Sequence, residues 1–271
     1  MSRIAVLLPV YAGDDPCYFG QAVKSLKIQN TKRLDVVLVL DGPIGPELEK
    51  VIENNKDCFS KIIRLEENKG LAAALNKGIE YCLESGYEYI ARMDADDISL
   101  VNRFKKQAEF LKANPGIHLV GGAIEEINEK GKSRNKVIRY PLSHEECYTF
   151  FGKRDPLAHP AVMFRRSFFE RAGMYDEKFR KNQDTQLWFS AFKAGCKFAN
   201  LPDVVLQFRI TDQFFGSRRG GYQRARTIYR ERLVINRELG YGTAANRFAW
   251  AMFLLTIAPA FIRKIAYRLF R

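Results

Sequence analysis

Strand-like and helix-like segments alternate along the first 122 residues, and this pattern restricts the fold more than any other feature of the chain. The strand-like segments, at residues 4–9, 35–40, 61–65, 88–93 and 118–122, are rich in Val, Ile and Leu. Between them, apolar residues recur on one helical face, as at Leu71, Leu75 and Ile79. Strands that alternate with helices predict an α/β fold, with a mostly parallel sheet and right-handed crossovers.

The alternation weakens after residue 122, where a mixed region extends to about residue 210. A chain of 271 residues, 46% of them hydrophobic, can bury a core as one large domain or two small ones. Neither an internal repeat nor a low-complexity linker interrupts the sequence. It therefore predicts one domain at residues 1–210, followed by a helical appendage at residues 211–271.

The five cysteines are odd in number and widely dispersed, and none stands in a C-x-x-C or Cys/His zinc spacing. This usage predicts reduced thiols and a cytoplasmic setting. The first apolar segment is short and is interrupted by Pro9, so the sequence does not predict a signal peptide.

The fourth strand-like segment ends in three carboxylates within four positions, Asp94, Asp96 and Asp97. Functional groups of open α/β sheets gather at the carboxyl ends of such strands. Closely spaced carboxylates repel each other unless a cation compensates them, and their hard oxygens suit Mg²⁺ or Mn²⁺ beside a substrate phosphate. A solvated acidic turn is the alternative, because a D-x-D pattern alone is a weak signal.

Polar residues also follow the second and third strand-like segments. Asp41 precedes Gly42 and Pro43. Its carboxylate could accept hydrogen bonds from a nucleobase or a ribose, although these residues could equally form a simple turn. Asn68 and Gly70 precede the next helix, where backbone N–H groups could bind a ligand or belong to an ordinary loop.

The chain contains a series of short motifs, in the order Pro9-Val10-Tyr11, Asp41-Gly42, Asn68-x-Gly70-Leu71, Asn76-x-Gly78, Arg92-x-Asp94-Ala95-Asp96-Asp97, Gly121-Gly122, the segment from His159 to Arg166, Gly173-x-Tyr175-Asp176 and the segment from Gln183 to Trp188. In this order, the motifs resemble those of family-2 glycosyltransferases over about residues 3–210. Each element is weak, and their combination is specific. The chain looks like the bacterial enzymes that build O-antigen, capsule or exopolysaccharide repeat units.

The resemblance implies a GT-A fold, which is Rossmann-like, with a donor half at about residues 1–122 and an acceptor half at about residues 123–210. It also implies an inverting hexosyl- or hexosaminyltransferase that depends on Mg²⁺ or Mn²⁺. The donor would be a nucleoside-diphosphate sugar, with UDP expected, and the acceptor would be a glycan on a polyprenyl diphosphate. The sequence identifies neither the sugar, nor the linkage, nor the oligomeric state.

By the same resemblance, Pro9 and Tyr11 would line the pocket of the nucleobase. The other donor-binding residues would be Asp41, Asn68, Gly70, Arg92, Asp94 and Arg209. Asp41 would accept a hydrogen bond from the uracil N3–H. Asp94 would face the ribose or the metal, and Asp96 would be the metal ligand next to the diphosphate. Arg209 would pair with phosphate, although Thr211 stands where relatives commonly have a His.

The resemblance places the catalytic general base at Asp184. Apolar residues at helical spacing follow it, so the residues alone favour an ordinary helix start. Relatives have a Glu before this Asp, whereas Gln183 precedes it here, which removes a neighbouring charge. His159 is interpreted as an acceptor-side or structural residue rather than as a metal ligand.

The C-terminal part of the chain is basic. From residue 204 onward there are 13 Lys and Arg residues and 3 Asp and Glu residues, a net charge of +10, whereas the other 203 residues carry 31 basic and 28 acidic ones. Residues 250–262 are almost wholly apolar, but they fall short of the roughly 20 residues that span a bilayer. We therefore expect the tail to lie in the interface of an anionic membrane, with a core helix as the alternative. No nucleic-acid-binding signature accompanies the charge.

The sequence thus predicts a glycosyltransferase that is peripheral on the cytoplasmic face of the membrane. A sugar-phosphate nucleotidylyltransferase is the alternative enzyme, but residues 10–20 lack the Gly-rich, Lys- or Arg-bearing loop of that class. A catalytically inactive, membrane-bound scaffold is the non-enzymatic alternative, and the presence of Asp96 and Asp184 argues against it.

Overall fold

The computed structural model of the protein describes residues 3–31, 34–211, 221–259, 261–263 and 265–266. Within these residues, one sheet contains the strands β1 (Ile4–Val10), β2 (Leu34–Leu40), β3 (Phe59–Arg64), β4 (Tyr89–Arg92), β5 (Ile98–Ser99), β6 (Leu119–Ile127), β7 (Ser133–Ile138), β8 (Met163–Arg165) and β9 (Phe198–Arg209). The α-helices are α1 (Pro16–Lys27), α2 (Pro46–Asn54), α3 (Leu71–Glu84), α4 (Arg103–Ala113), α5 (His144–Phe151), α6 (Arg166–Ala172), α7 (Gln183–Lys193), α8 (Tyr222–Glu238) and α9 (Thr243–Ile257). All five predicted strands are present.

The sheet is parallel in its first part and mixed in its second part. In the order β3-β2-β1-β4 all pairs are parallel, because α1, α2 and α3 return the chain to the same edge after each strand. β8 is antiparallel to β4 and β6, whereas β6 and β9 are parallel. β5 pairs with β9, and β7 pairs with β6. The mixed second part explains why the regular alternation weakens after residue 122.

The sheet has a hydrophobic core on each face. Val6 and Leu8 of β1 pack in one core with α1, α2 and α4. Ala5 and Leu7 of the same strand pack in the other core, with α3, α5, α6, α7 and α8. Because both faces are covered, the strand is a continuous apolar run. This arrangement confirms the predicted α/β fold, and it brings the carboxyl ends of β1, β2 and β4 to one edge of the sheet.

β6 is longer than predicted, since it continues past Gly122 to Ile127. A Cβ built on Gly121 would lie 2.2 Å from the Oδ1 atom of Asn200 on the neighbouring strand β9. The register between the two strands shifts immediately after Gly122. The two glycines therefore mark a close approach of neighbouring strands rather than the end of a strand.

The C-terminal residues begin with a helix that packs into one of the two cores. Ile235 of α8 is 1% exposed and belongs to the core that contains α7. The Tyr148 hydroxyl on α5 donates to the main-chain oxygen of Leu239 at 2.7 Å. α9 packs on α8, with the rings of Tyr229 and Phe253 5.7 Å apart between centroids. α8 is therefore integrated with the sheet domain, and the domain division at residue 210 stays a prediction.

Gly121→Ala is expected to destabilise the protein, because Asn200 cannot move aside freely. Asn200 is 2% exposed, and its Nδ2 atom donates to the carbonyls of Pro141 and Pro156 at 2.7 and 2.9 Å. Overpacking of this kind costs about 1–3 kcal/mol of the free energy of unfolding. Tm, measured by calorimetry, should fall by roughly 2–4 °C for each kcal/mol. Gly116→Ala is the control, since no atom lies within 4 Å of a Cβ there; an equal loss in both variants would contradict the close approach.

Candidate active site

The three carboxylates that follow β4 form one cluster, whose ligand oxygens all lie within 4.8 Å of one another. Asp97 is completely buried, whereas Asp94 and Asp96 are half-buried. Burial, followed by the charge of Asp94, raises the pKa of Asp96 to about 6. Burial and then the two neighbouring carboxylates raise the pKa of Asp97 well above its ordinary value. The cluster therefore concentrates negative charge that a cation would stabilise.

Two buried arginines lie beside this acidic cluster. Arg92 forms an ion pair with Asp94, and its Nε and Nη1 atoms have no hydrogen-bond partner among the described residues. Arg103 of α4 was not predicted as a site residue; its Nη2 atom donates to the main-chain oxygen of Arg92 at 2.6 Å. Burial lowers the pKa of Arg103 to about 9. Arg103 thus supports the main chain at Arg92, whose Nε and Nη1 atoms are buried.

Arg209, at the end of β9, connects the acidic cluster to its surroundings. Its main-chain N–H donates to Asp97 Oδ1 at 2.9 Å, and its Nε atom donates to the main-chain oxygen of Asp96 at 2.8 Å. Its Nη atoms donate to Gln21 of α1 and to two carbonyl oxygens in the turn after β6. Every guanidinium nitrogen of Arg209 already has a protein acceptor. Arg209 therefore has few N–H groups left for the predicted contact with phosphate.

A cavity of about 370 Å³ lies at the carboxyl ends of β1, β2 and β4. It is lined by seven of the predicted site residues, Pro9, Tyr11, Asp41, Asn68, Gly70, Asp94 and Asp96. Arg92, Arg209, Asp184 and His159 are not among its lining residues. A larger groove of about 630 Å³ lies beside α5 and contains none of the predicted residues. The volume of the smaller cavity is within the range of about 300–1,000 Å³ that is typical of small-molecule sites.

Asp41 fixes the loop that precedes α3. Its carboxylate accepts hydrogen bonds from the main-chain N–H groups of Lys69 at 2.8 Å and of Gly70 at 3.0 Å. Asn68 Nδ2 donates to the main-chain oxygen of Asp41 at 3.1 Å. Gly70 has a φ of 94°, a left-handed conformation that favours glycine. The Gly70 N–H is therefore used within the chain, and the Asp41 carboxylate keeps only part of its acceptor capacity for a ligand.

Asp14 is a cavity residue that the sequence reasoning missed. It lines the cavity together with Asp94 and Asp96, and its carboxylate accepts a hydrogen bond from the Tyr11 N–H at 3.0 Å. Burial raises the pKa of Asp14 to about 7, and the charges of Asp96 and Asp94 act in the same direction. Its signal in the sequence is its place in the loop directly after β1, at the same sheet edge as the acidic cluster.

Asp184 lies in the first turn of α7, where the Thr185 N–H donates to its Oδ1 atom at 2.9 Å. Asn182, before the helix, has a left-handed conformation with a φ of 59°. Burial and then the charge of Asp155 raise the pKa of Asp184 to about 6, while the charge of Arg92 acts in the opposite direction. A carboxylate with this pKa is ionised at neutral pH and is a stronger base than an ordinary Asp.

His159 lies in the core, where it is 8% exposed. Its Nε2 atom is 2.6 Å from the Tyr175 hydroxyl, and its ring meets Trp188 edge-on at 5.8 Å between centroids. Tyr175 is held in turn by Asn76, whose Oδ1 atom accepts from the Tyr175 N–H at 3.0 Å. Burial lowers the pKa of His159 well below its ordinary value. These contacts favour the structural interpretation of His159 over the acceptor-side one.

Residues 5–173 match the family model described as Glycosyl transferase family 2. The match covers more than half of the chain, which therefore belongs to this family, as the motifs predicted. Asp184, Arg209 and the helices α8 and α9 lie beyond the matched residues.

The chain has relatives among bacterial glycosyltransferases. It is 34% identical to the amylovoran biosynthesis glycosyltransferase AmsE of Erwinia amylovora over 217 residues, which are 80% of this chain and 79% of AmsE. It is 29% identical over 233 residues to the UDP-Gal:alpha-D-GlcNAc-diphosphoundecaprenol beta-1,3-galactosyltransferase of Escherichia coli, which covers 82% of this chain and 79% of that enzyme. These relatives confirm the predicted type, a bacterial glycosyltransferase of polysaccharide synthesis.

The fold is similar to that of TarS from S. aureus. The structure of TarS 1-349 in complex with UDP-GlcNAc has a TM-score of 0.66 at 15% identity, and the alignment covers 94% of this chain and 72% of that one. The chain spans 39% of the longer TarS structure, with a TM-score of 0.60 at 16% identity. At this identity the similarity concerns the fold alone, and it confirms the GT-A architecture.

Proposed function

We propose that the chain is an inverting hexosyl- or hexosaminyltransferase that transfers a sugar from a UDP-sugar to a glycan on a polyprenyl diphosphate, in bacterial surface-polysaccharide synthesis. The observation that carries the proposal is the cavity that Asp41 shares with Asp94 and Asp96 of the acidic cluster. Two names support it. The Escherichia coli relative is named for UDP-Gal and a diphosphoundecaprenol acceptor, and the TarS 1-349 structure contains UDP-GlcNAc.

Donor binding is assigned to this cavity and to Arg92 beside it. Pro9, Tyr11 and Asp41 would hold the nucleoside, in the loop geometry that Asn68 and Gly70 maintain. Arg92 would act on the donor through Asp94, with which it forms an ion pair, because Arg92 itself is 2% exposed and does not line the cavity.

Asp94 and Asp96 are assigned as the ligands of a divalent cation. Their oxygens are hard ligands, lie within 4.8 Å of one another and of Asp97, and face the same cavity as the proposed donor. The buried Oδ2 atom of Asp97 has no hydrogen-bond partner among the described residues, which fits a site of unbalanced negative charge. Bound Mg²⁺ or Mn²⁺ would stabilise the charge of the departing nucleoside diphosphate.

Asp184 is the proposed general base. Its carboxylate would take the proton of the acceptor hydroxyl while the hydroxyl oxygen forms a bond to the anomeric carbon. The bond between that carbon and the diphosphate oxygen would break, and its electron pair would leave with the nucleoside diphosphate. Attack opposite the leaving group inverts the anomeric configuration. The half-buried position of Asp184 and its raised pKa support this assignment.

A donor screen on the purified protein tests the proposed function. We expect a nucleoside diphosphate to be released from a nucleotide sugar, and the product to have the opposite anomeric configuration. Release of pyrophosphate from a nucleoside triphosphate and a sugar phosphate would favour the nucleotidylyltransferase instead. The absence of turnover with every donor and with lipid-linked acceptors would favour the inactive scaffold.

The C-terminal helices are proposed to bind an anionic membrane on its cytoplasmic face. In and after α9, large apolar side chains are between 40% and 65% exposed, namely those of Trp250, Leu254, Ile257, Phe261, Ile262 and Ile265. α8 adds exposed arginines, including Arg226 and Arg230. This combination suits the interface of an anionic bilayer. No helix in the described ranges has the length and apolarity to cross a membrane.

The predicted basic surface lies only partly within the described residues. Of the basic residues on which the membrane prediction rests, Arg218, Arg219, Lys264, Arg268 and Arg271 lie outside the described residues. The proposal therefore depends on the apolar side chains of α9 and on the arginines of α8.

Loss of the metal, or of its ligand Asp96, is expected to stop sugar transfer. EDTA and Asp96→Asn should each lower kcat by at least about 100-fold, because a metal ion contributes several kcal/mol of transition-state stabilisation. Calorimetric titration of UDP should show binding that requires Mn²⁺ in the natural protein and is lost in the variant. Asp57→Asn, at a side chain that is 74% exposed, is the control. Full activity of Asp96→Asn in metal-free buffer would contradict the assignment.

Asp184→Asn is expected to lower kcat by about 10²–10⁴-fold while the affinity for the nucleotide sugar stays within a few-fold, because the amide cannot accept the proton. In the natural protein, kcat/KM should fall by about tenfold per pH unit below the pKa of about 6, since only the ionised carboxylate is a base. The pH profile and the two kinetic constants check both expectations. Unchanged turnover, or a loss confined to donor binding, would show that Asp184 is not the base.

The exposed apolar side chains of α9 are expected to contribute to membrane binding. A triple variant, Trp250→Ser with Leu254→Ser and Ile257→Ser, should bind vesicles of phosphatidylglycerol and phosphatidylcholine at least about tenfold more weakly. High salt should release the natural protein only in part, because salt screens the charges and leaves apolar contacts intact. The control is Ile28→Ser with Val137→Ser and Leu142→Ser, which are exposed elsewhere. Equal vesicle binding by both triple variants would exclude this face.

A further inference from the structure

A chain of contacts joins α8 to the residue that follows Asp184. Arg232 Nη2 donates to Asp155 Oδ1 at 2.8 Å. The other carboxylate oxygen of Asp155 accepts a hydrogen bond from the Thr185 hydroxyl, also at 2.8 Å. The Thr185 N–H donates in turn to Asp184 Oδ1 at 2.9 Å. A cation on a helix outside the sheet is therefore three contacts away from the proposed base.

Arg232 is held firmly in this position. Its side chain is 13% exposed, its Nη1 atom donates to the main-chain oxygen of Phe151 at 2.9 Å, and its guanidinium lies 4.9 Å from the centre of the Phe151 ring. A second ion pair of α8, between Lys193 of α7 and Glu238, is 50% and 36% exposed. Exposed ion pairs contribute little free energy, whereas sheltered ion pairs act strongly on neighbouring groups. We therefore expect the Arg232 pair to affect the groups around it more than the Lys193 pair does.

α8 also contacts the residue that precedes α7. Asn182 Nδ2 donates to Glu231 Oε2 at 3.2 Å, and Asn182 has the left-handed conformation that starts the helix. Glu231 of α8 thus contacts a residue that precedes Asp184, and its neighbour Arg232 reaches Thr185, which follows Asp184, through Asp155.

We infer that Arg232 is a positioning residue for Asp184, on which it acts through Asp155 and Thr185. The inference rests on the proposed role of Asp184 as the base. It goes beyond the family match, because α8 lies after residue 173, where that match ends.

The direction of the effect follows from the charges around Asp184. The titratable and charged groups that face it or contact its neighbours are Asp155, Arg92, Tyr175, Arg232 and Glu231. After burial, the negative charge of Asp155 is the main influence that raises the pKa of Asp184. The Arg232 cation partly offsets that charge. Removal of the cation should therefore raise the pKa of Asp184 further, and removal of the Asp155 charge should lower it.

Carbon-13 NMR titration of the full chain, with labelled Asp side chains and without metal or donor, measures this effect directly. The Asp184 signal is identified by its absence in Asp184→Asn. Arg232→Met should raise the titration midpoint of Asp184 by about one pH unit, and Asp155→Asn should lower it by a similar amount. Arg232→Lys, which keeps the charge, should restore most of the natural value. Lys193→Met is the matched control and should leave the midpoint unchanged.

The result that would overturn the inference is an Asp184 midpoint that stays constant in either Arg232→Met or Asp155→Asn. If Arg232→Met does not fold, Arg232→Gln, which keeps N–H donors and removes the charge, takes its place. The activity of Asp184→Asn separates this inference from the proposed function. Normal turnover of that variant overturns the base assignment and the inference with it. Loss of turnover with unmoved midpoints overturns the inference alone.

Discussion

The buried carboxylate of Asp97 accepts a hydrogen bond from the main chain of Arg209, which is 112 residues further along the chain. An unpaired acceptor in the core would cost about 1–3 kcal/mol, and more if charged, so β9 has to reach the acidic cluster. The Arg209 side chain then binds the turn after β6 and the helix α1. This one residue therefore fixes the position of the mixed part of the sheet relative to the cavity in the parallel part.

Most of the parallel part of the sheet could be predicted because β1, β2 and β4 are covered on both faces and appear as largely apolar runs. Asp41 and Asp94 could be found for a related reason, since the carboxyl ends of neighbouring parallel strands meet at one edge. The predicted end of β6 at Gly122 was wrong, because Gly121 and Gly122 accommodate a neighbouring strand and β6 continues to Ile127.

Other parts of the site depend on contacts between distant residues, and local patterns do not reveal these. Arg103 stands in the segment Arg-Phe-Lys-Lys-Gln, where it looks like one of several solvated cations, yet it is 1% exposed. Its burial follows from the main-chain oxygen atoms of Arg92 and Val162 that it satisfies. In the same way, Arg232 looks like one more arginine of a basic helix, and its partner Asp155 lies 77 residues earlier. Charge counts along a helix cannot tell which arginine turns inward.

The place of β9 in the sheet has a consequence for the order in which the protein is made. β9 pairs with β6 on one side and with β5 on the other, although it is the last of the described strands to be synthesised. With the exception of Arg209, every residue assigned to the donor or the metal lies at or before Asp96, so these side chains leave the ribosome long before β9 does. Pairing over such a sequence distance is slow to form. The residues assigned to the donor and the metal are therefore synthesised first, but Arg209 can contact Asp96 and Asp97 only after β9 has been made.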